Sequence, residues 1–173
     1  MCSRCTLHPP IYTQVFCVGI YEQTLQRAIQ QFKFNQKVGL DRALSCLMVD
    51  SIAGDLAADL IIPVPLHQQK LQKRSYNQTL LLAREIGRQL QLPISHKLLL
   101  KPIATQPQQG LTAHERTKNL RHAFIVSGNL QGLNILLIDD VMTTGATLDA
   151  CCRALKAAGV GAITVAIIAR API

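Results

Sequence analysis

Apolar residues along this chain follow two rhythms. In "EQTLQRAIQQFKF" (Glu22–Phe34), Leu25, Ile29 and Phe32 recur at three- and four-residue spacing, which predicts a helix with one buried face. Leu40–Ser51 predicts a second helix with Leu44, Leu47 and Met48 inward. Asn77 opens "NQTLLLAREIGRQLQLP", a third amphipathic helix with Leu80, Ala83, Ile86 or Gly87, and Leu90 on one face and Pro93 just beyond its end. A fourth is "TTGATLDACCRALKAAG", with Leu148, Cys151, Cys152 and Leu155 as its stripe and Gly159 at the C-terminal cap.

The second rhythm is the compact apolar run. "ADLIIPVPL" (Ala58–Leu66), a short piece of "ISHKLLL", "AFIV" (Ala123–Val126), "LNILLIDD" (Leu133–Asp140) and "AITVAIIA" (Ala162–Ala169) read as strands, the last buried on both faces. Strands alternating with helices predict an α/β fold, a mostly parallel twisted sheet flanked by helices. Three stretches carry neither rhythm. The chain up to about Tyr21 reads as irregular, "HQQKLQKRSY" as a basic loop, and Ala104–Ala123 as a long polar loop of the kind that is either functional or disordered.

Composition narrows the class. A chain of 173 residues suits one domain with a small appendage, and 49% hydrophobic with 16% charged residues is a globular balance. The formal net charge of +8 points to a polyanionic partner. Aromatics are 4% with no Trp, so a nucleic acid would be held through phosphates rather than by stacking. No export signal is visible, and "AITVAIIA" is too short to insert in a membrane. A cytoplasmic location is therefore expected, with the six cysteines as free thiols or metal ligands.

The candidate chemistry lies in "ILLIDDVMTTGAT" (Ile135–Thr147). Ligands of an open parallel sheet bind beyond the carboxyl ends of its strands, where Asp139 and Asp140 fall. The turn that follows enters a helix, and a helix N-terminus offers unpaired N–H groups to a phosphate. Gly145 allows close approach, and Thr143, Thr144 and Thr147 add hydroxyl donors. Two carboxylates repel that phosphate and must face something else, either sugar hydroxyls or a divalent cation arriving with the ligand.

This stretch resembles the phosphoribosyl-pyrophosphate (PRPP) motif of type I phosphoribosyltransferases. The resemblance implies that Asp139 and Asp140 hold ribose, and that Thr143, Thr144, Gly145, Ala146 and Thr147 hold the 5′-phosphate. "IIPVPLHQQKLQKRSYNQ" (Ile61–Gln78) and "QQGLTAHERTKNLRHAF" (Gln108–Phe124) further resemble segments of the ComF competence-protein family, with Ser75 and Tyr76 standing where that family usually has Gly and Phe. By position, Lys70, Lys73 and Arg74 would grip pyrophosphate. Arg116, Lys118 and Arg121 would lie on the mobile loop that closes over the reaction centre, with Arg116 grouped with the two aspartates as catalytic; His114 reads as a solvent histidine. Residues 21–173 would form the phosphoribosyltransferase-like domain, with residues 21–57 as its helical hood, where Tyr21, Phe32 or Phe34 would stack on a base.

Cys2 and Cys5 form a C-x-x-C pair, half of a four-ligand zinc site, and residues 1–20 read as the remnant of a zinc-ribbon-like segment. Cys17 is a third candidate ligand without an obvious fourth; Cys46, Cys151 and Cys152 read as buried small hydrophobes. The resemblance implies a PRPP-binding protein with Mg²⁺, acting in DNA uptake or processing and contacting single-stranded DNA. A working phosphoribosyltransferase and a non-catalytic PRPP sensor are the alternatives.

Overall fold

The computed structural model describes residues 9–34, 39–52, 54, 56–74, 76–103, 120 and 123–172, with the side chains of Phe34, Lys70, Lys73 and Arg74 left aside. Its elements are β1 (Gln14–Ile20), α1 (Gln23–Phe34), α2 (Leu40–Ser51), β2 (Leu60–Pro63), α3 (Gln68–Arg74), α4 (Gln78–Leu90), β3 (Leu99–Leu100), β4 (Ile125–Val126), β5 (Ile135–Met142), α5 (Ala146–Ala157) and β6 (Ile163–Arg170). The main sheet has the order β1-β6-β5-β2, and every pairing in it is parallel. β3 and β4 pair antiparallel outside it.

Strand alternation divides the core into two layers. Ile135 and Leu137 pack with Leu148, Cys151, Cys152 and Leu155 of α5. Leu136 and Ile138 pack with Ile29 and Phe32 of α1, Leu44 and Met48 of α2, and Leu82, Ala83 and Ile86 of α4. A parallel sheet covered on both faces needs strands that are apolar on both sides, which explains the unbroken run in β6. Pro63 lacks an N–H donor and ends β2; on the side of β2 away from β5, Ile61 forms an isolated parallel bridge with Ile94. Among the described residues no helix is long and apolar enough to cross a membrane.

Four sequence expectations change. Residues 14–20, expected as irregular, form β1 and lie beside β6, so the sheet begins ahead of Tyr21; the apolar run Val15–Val18 is too short to mark a strand without the partner that β6 provides. The segment expected as a basic loop contains a helical stretch, α3. Leu47 is exposed rather than inward, because Leu44 and Met48 already define the face of α2 turned to the sheet. Cys46 is exposed as well, whereas Cys151 and Cys152 are buried as expected.

Candidate functional site

The acids sit within a paired strand, not in a loop. β5 continues two residues beyond Asp140, with Val141 opposite Ala169 and Met142 opposite Arg170 on β6. This fixes the backbone under both carboxylates. The Asp140 N–H donates to Asp139 Oδ1 at 2.9 Å. The chain then turns through Thr143–Gly145 into α5, and Gly145 caps that helix at φ 79°, a left-handed conformation that side-chain-bearing residues rarely adopt. The Ala146 N–H donates to Thr144 Oγ1 at 3.4 Å. A small cavity of about 40 Å³ lies inside this turn, lined by Thr143, Thr144, Gly145, Ala146 and Thr147.

A second cavity of about 300 Å³ opens beside it and shares Asp139, Val141, Thr143 and Thr147 with the first. Its walls add Asp140, the stretch Val64–His67 after β2, the start of α4, and Tyr21 and Lys33 from the region expected as a hood. Pieces far apart in the sequence thus meet at the carboxyl ends of β5 and β2, where an open parallel sheet takes its ligands.

The electrostatics are specific to this placement. Burial, and then the charge of Asp140, push the Asp139 carboxyl up to about 7, while the Asp140 N–H and the cations Lys33 and Lys101 pull it back. Lys33 Nζ makes an ion pair with Asp140 Oδ1 at 2.7 Å, with the two side chains 16% and 13% exposed. Lys101 lines the same cavity and lies 5.3 Å above the Phe124 ring.

The structure brings together Asp139, Asp140, Thr143, Thr144, Gly145, Ala146 and Thr147 around the two cavities. Lys70, Lys73 and Arg74 fall on α3, which follows the cavity-lining residues Leu66 and His67, while their side chains lie outside the described set. Arg116, Lys118 and Arg121, and Cys2 with Cys5, lie outside the described residues. The Cys17 thiol donates to the Gly19 carbonyl at 3.2 Å, and among the described residues no three metal-binding side chains converge. Of the three aromatics expected to stack on a base, Tyr21 lines the cavity, Phe32 is fully buried in the core and cannot, and the Phe34 side chain lies outside the described set.

Sequence reading missed Lys33, Gln78, Thr79 and Lys101. Lys33 and Asp140 are 107 positions apart, and a lysine at the end of an amphipathic helix carries no local sign of a distant carboxylate. Gln78 and Thr79 were read only as the start of a helix, yet both are buried at the cavity wall.

This strand–turn–helix with its acid pair, set in a doubly covered parallel sheet, defines a protein of the type I phosphoribosyltransferase fold. Residues 52–173 match the phosphoribosyl transferase domain family. Competence protein F of Haemophilus influenzae is 32% identical over 98% of this chain and 78% of its own length. DNA utilization protein YhgH of Escherichia coli K12 is 31% identical over 95% of the chain and 75% of its own length, and Competence protein ComFC of Bacillus subtilis is 33% identical over 85% and 61%. The chain belongs to the ComF family. The glutamine PRPP amidotransferase of Bacillus subtilis superposes with a TM-score of 0.55 at 17% identity, covering 80% of this chain and 30% of that one, a likeness of fold alone.

Proposed function

We propose that this protein binds PRPP together with Mg²⁺, and that it serves DNA uptake or processing with a surface that contacts single-stranded DNA. The single observation behind the PRPP reading is the pair of adjacent cavities that share wall residues. The turn Thr143–Thr147 encloses the smaller one, and both carboxylates face the larger. A phosphate in the turn and ribose hydroxyls at the acids match a ligand with those two groups a few ångströms apart. The donors suit magnesium, since carboxylates and hydroxyls are hard oxygen ligands. Bound with pyrophosphate, the ion would neutralise part of its charge. The protein's own residues would hold the 5′-phosphate, orient the ribose and keep the reacting end of the sugar inside a walled cavity. The names of the relatives support the DNA role, as does the net charge of +8.

The experiment is thermal unfolding with and without PRPP and Mg²⁺. The expected result is a rise in melting temperature that Asp140→Asn largely removes. A wild-type protein that does not respond to PRPP sinks the reading.

Catalysis is the second reading, favoured by Tyr21 at the cavity wall as a platform for a base. Incubation with labelled PRPP and a panel of nucleobases decides it. Release of pyrophosphate with one base supports transfer, and PRPP left intact by every base supports binding without chemistry.

A further inference from the structure

The ion pair between Lys33 and Asp140 crosses from the helical layer to the acid pair of the sheet. Lys33 stands in the last turn of α1. Its main chain is held by α4 and by Tyr76 just ahead of it. The Gln78 carboxamide donates to the Lys33 carbonyl at 3.4 Å, and the Tyr76 hydroxyl donates to the carbonyl of Phe32, itself fully buried. The stem of this lysine is thus anchored, and its ammonium is delivered to a carboxylate that is itself held in a paired strand. Surface lysine–carboxylate pairs are usually screened and contribute little, but these side chains are 16% and 13% exposed, so water screens them weakly.

The ammonium therefore occupies a coordination position on Asp140. A magnesium ion bound directly to that oxygen would sit at roughly 2.0–2.1 Å from it. An ammonium at 2.7 Å on the same oxygen would then be within a few ångströms of a divalent ion, and the two would repel strongly in a half-buried site. The hydroxyls of a sugar face no such conflict. A carboxylate has about four lone-pair sites, and one ammonium contact leaves the others to accept.

We propose that Lys33 is the resident counter-cation of the acid pair, keeping free divalent cations off Asp140 so that a metal enters this cavity only as part of a metal–pyrophosphate ligand. The second clause rests on the PRPP reading of the cavity; the first rests on the ion pair itself.

The test uses the full chain and Mn²⁺ as the probe, with free ion counted by electron paramagnetic resonance. Wild type, Lys33→Met, Lys33→Gln and Lys33→Arg are compared, with circular dichroism to confirm folding. Two neutral replacements are included so that the failure of one to fold does not remove the comparison. Removing the positive charge is expected to raise Mn²⁺ affinity by at least about tenfold. Lys33→Arg is expected to stay close to wild type, and adding Asp140→Asn to either neutral variant is expected to abolish the gain. The proposal is overturned if wild type binds Mn²⁺ as tightly as the neutral variants, or if the gain survives Asp140→Asn. Wild type that ignores PRPP would sink the functional reading while leaving the Mn²⁺ comparison intact. PRPP binding without any Mn²⁺ gain would sink the counter-cation alone.

Discussion

The hydroxyl of Thr79 lies 2.6 Å from the carbonyl of Val64. This contact ties the first turn of α4 to the segment that leaves β2, directly at the wall of the larger cavity. The same hydroxyl is 2.7 Å from Asn77 Oδ1, and that oxygen accepts the Thr79 N–H at 3.2 Å as the N-terminal cap of α4. The hydroxyl has one proton and serves one acceptor at a time. Thr79→Val keeps the shape and removes the donor, leaving the Val64 carbonyl with the longer Asn77 Nδ2 contact at 3.5 Å. The expected cost is about 1–3 kcal/mol of stability in urea unfolding. An unchanged midpoint would show that this contact holds nothing together.

Gly87 is a helical glycine that propensity alone would favour replacing with alanine, by up to about 1 kcal/mol. Packing opposes it. A Cβ there would lie 2.7 Å from Ile94 Cγ1 and 2.9 Å from the backbone oxygen of Leu92, and Ile94 is bridged to Ile61 of β2. The backbone oxygen cannot move without disturbing the turn that leaves α4, so the clash outweighs the propensity. Gly87→Ala is expected to lower stability by about 1–3 kcal/mol in the same assay, and a stabilised variant would contradict the packing described.

Asp139 gives a pH signature. Its carboxyl titrates near 3.8 when unperturbed and is pushed up to about 7 in the fold. Between these values the folded chain holds a proton that the unfolded chain has released. Protonation therefore favours the fold at low pH, and this contribution is lost as pH rises towards 7. Asp139→Asn removes the titration while keeping an acceptor for the Asp140 N–H. The variant's stability relative to wild type is expected to climb from pH 4 to pH 8, by something on the order of a few kcal/mol. Parallel stability curves for the two proteins would show that Asp139 titrates alike folded and unfolded.

The thiols separate by environment. Burial pushes the Cys152 thiol up to about 12, with the charge of Asp149 next, and lifts Cys151 well above its usual range, while Cys46 is exposed. Alkylation at pH 8 followed by peptide mass spectrometry is expected to label Cys46 in the native protein and the Cys151–Cys152 peptide only in denaturant. Native labelling of that peptide would mean that α5 opens readily.

The proposed contact with single-stranded DNA carries its own test. With aromatics at 4% and a net charge of +8, binding through phosphates is expected to weaken steeply as salt rises. Fluorescence anisotropy with a labelled oligonucleotide from 50 to 200 mM salt, on the order of the usual titration range, measures the slope. An affinity indifferent to salt would point to stacking instead.

The sequence by itself determined the strands from β2 onward, the four long helices and the Thr–Gly turn after β5. These are properties of local periodicity and local chemistry. Leu148, Cys151, Cys152 and Leu155 announce a buried stripe whatever lies beneath it, and Asp139, Asp140 and Gly145 sit within seven positions of one another. Tertiary structure decided what depends on distant partners. β1 is a strand because β6 lies beside it. Leu47 and Cys46 are exposed because the sheet meets only one face of α2. Lys33 reaches Asp140 across 107 positions because α1 and β5 pack in adjacent layers. The proton affinity of Asp139 is set by burial and by the neighbouring charge of Asp140. The neighbour was in view from the start, but the burial was not, because desolvation belongs to the packed cavity and not to the residue.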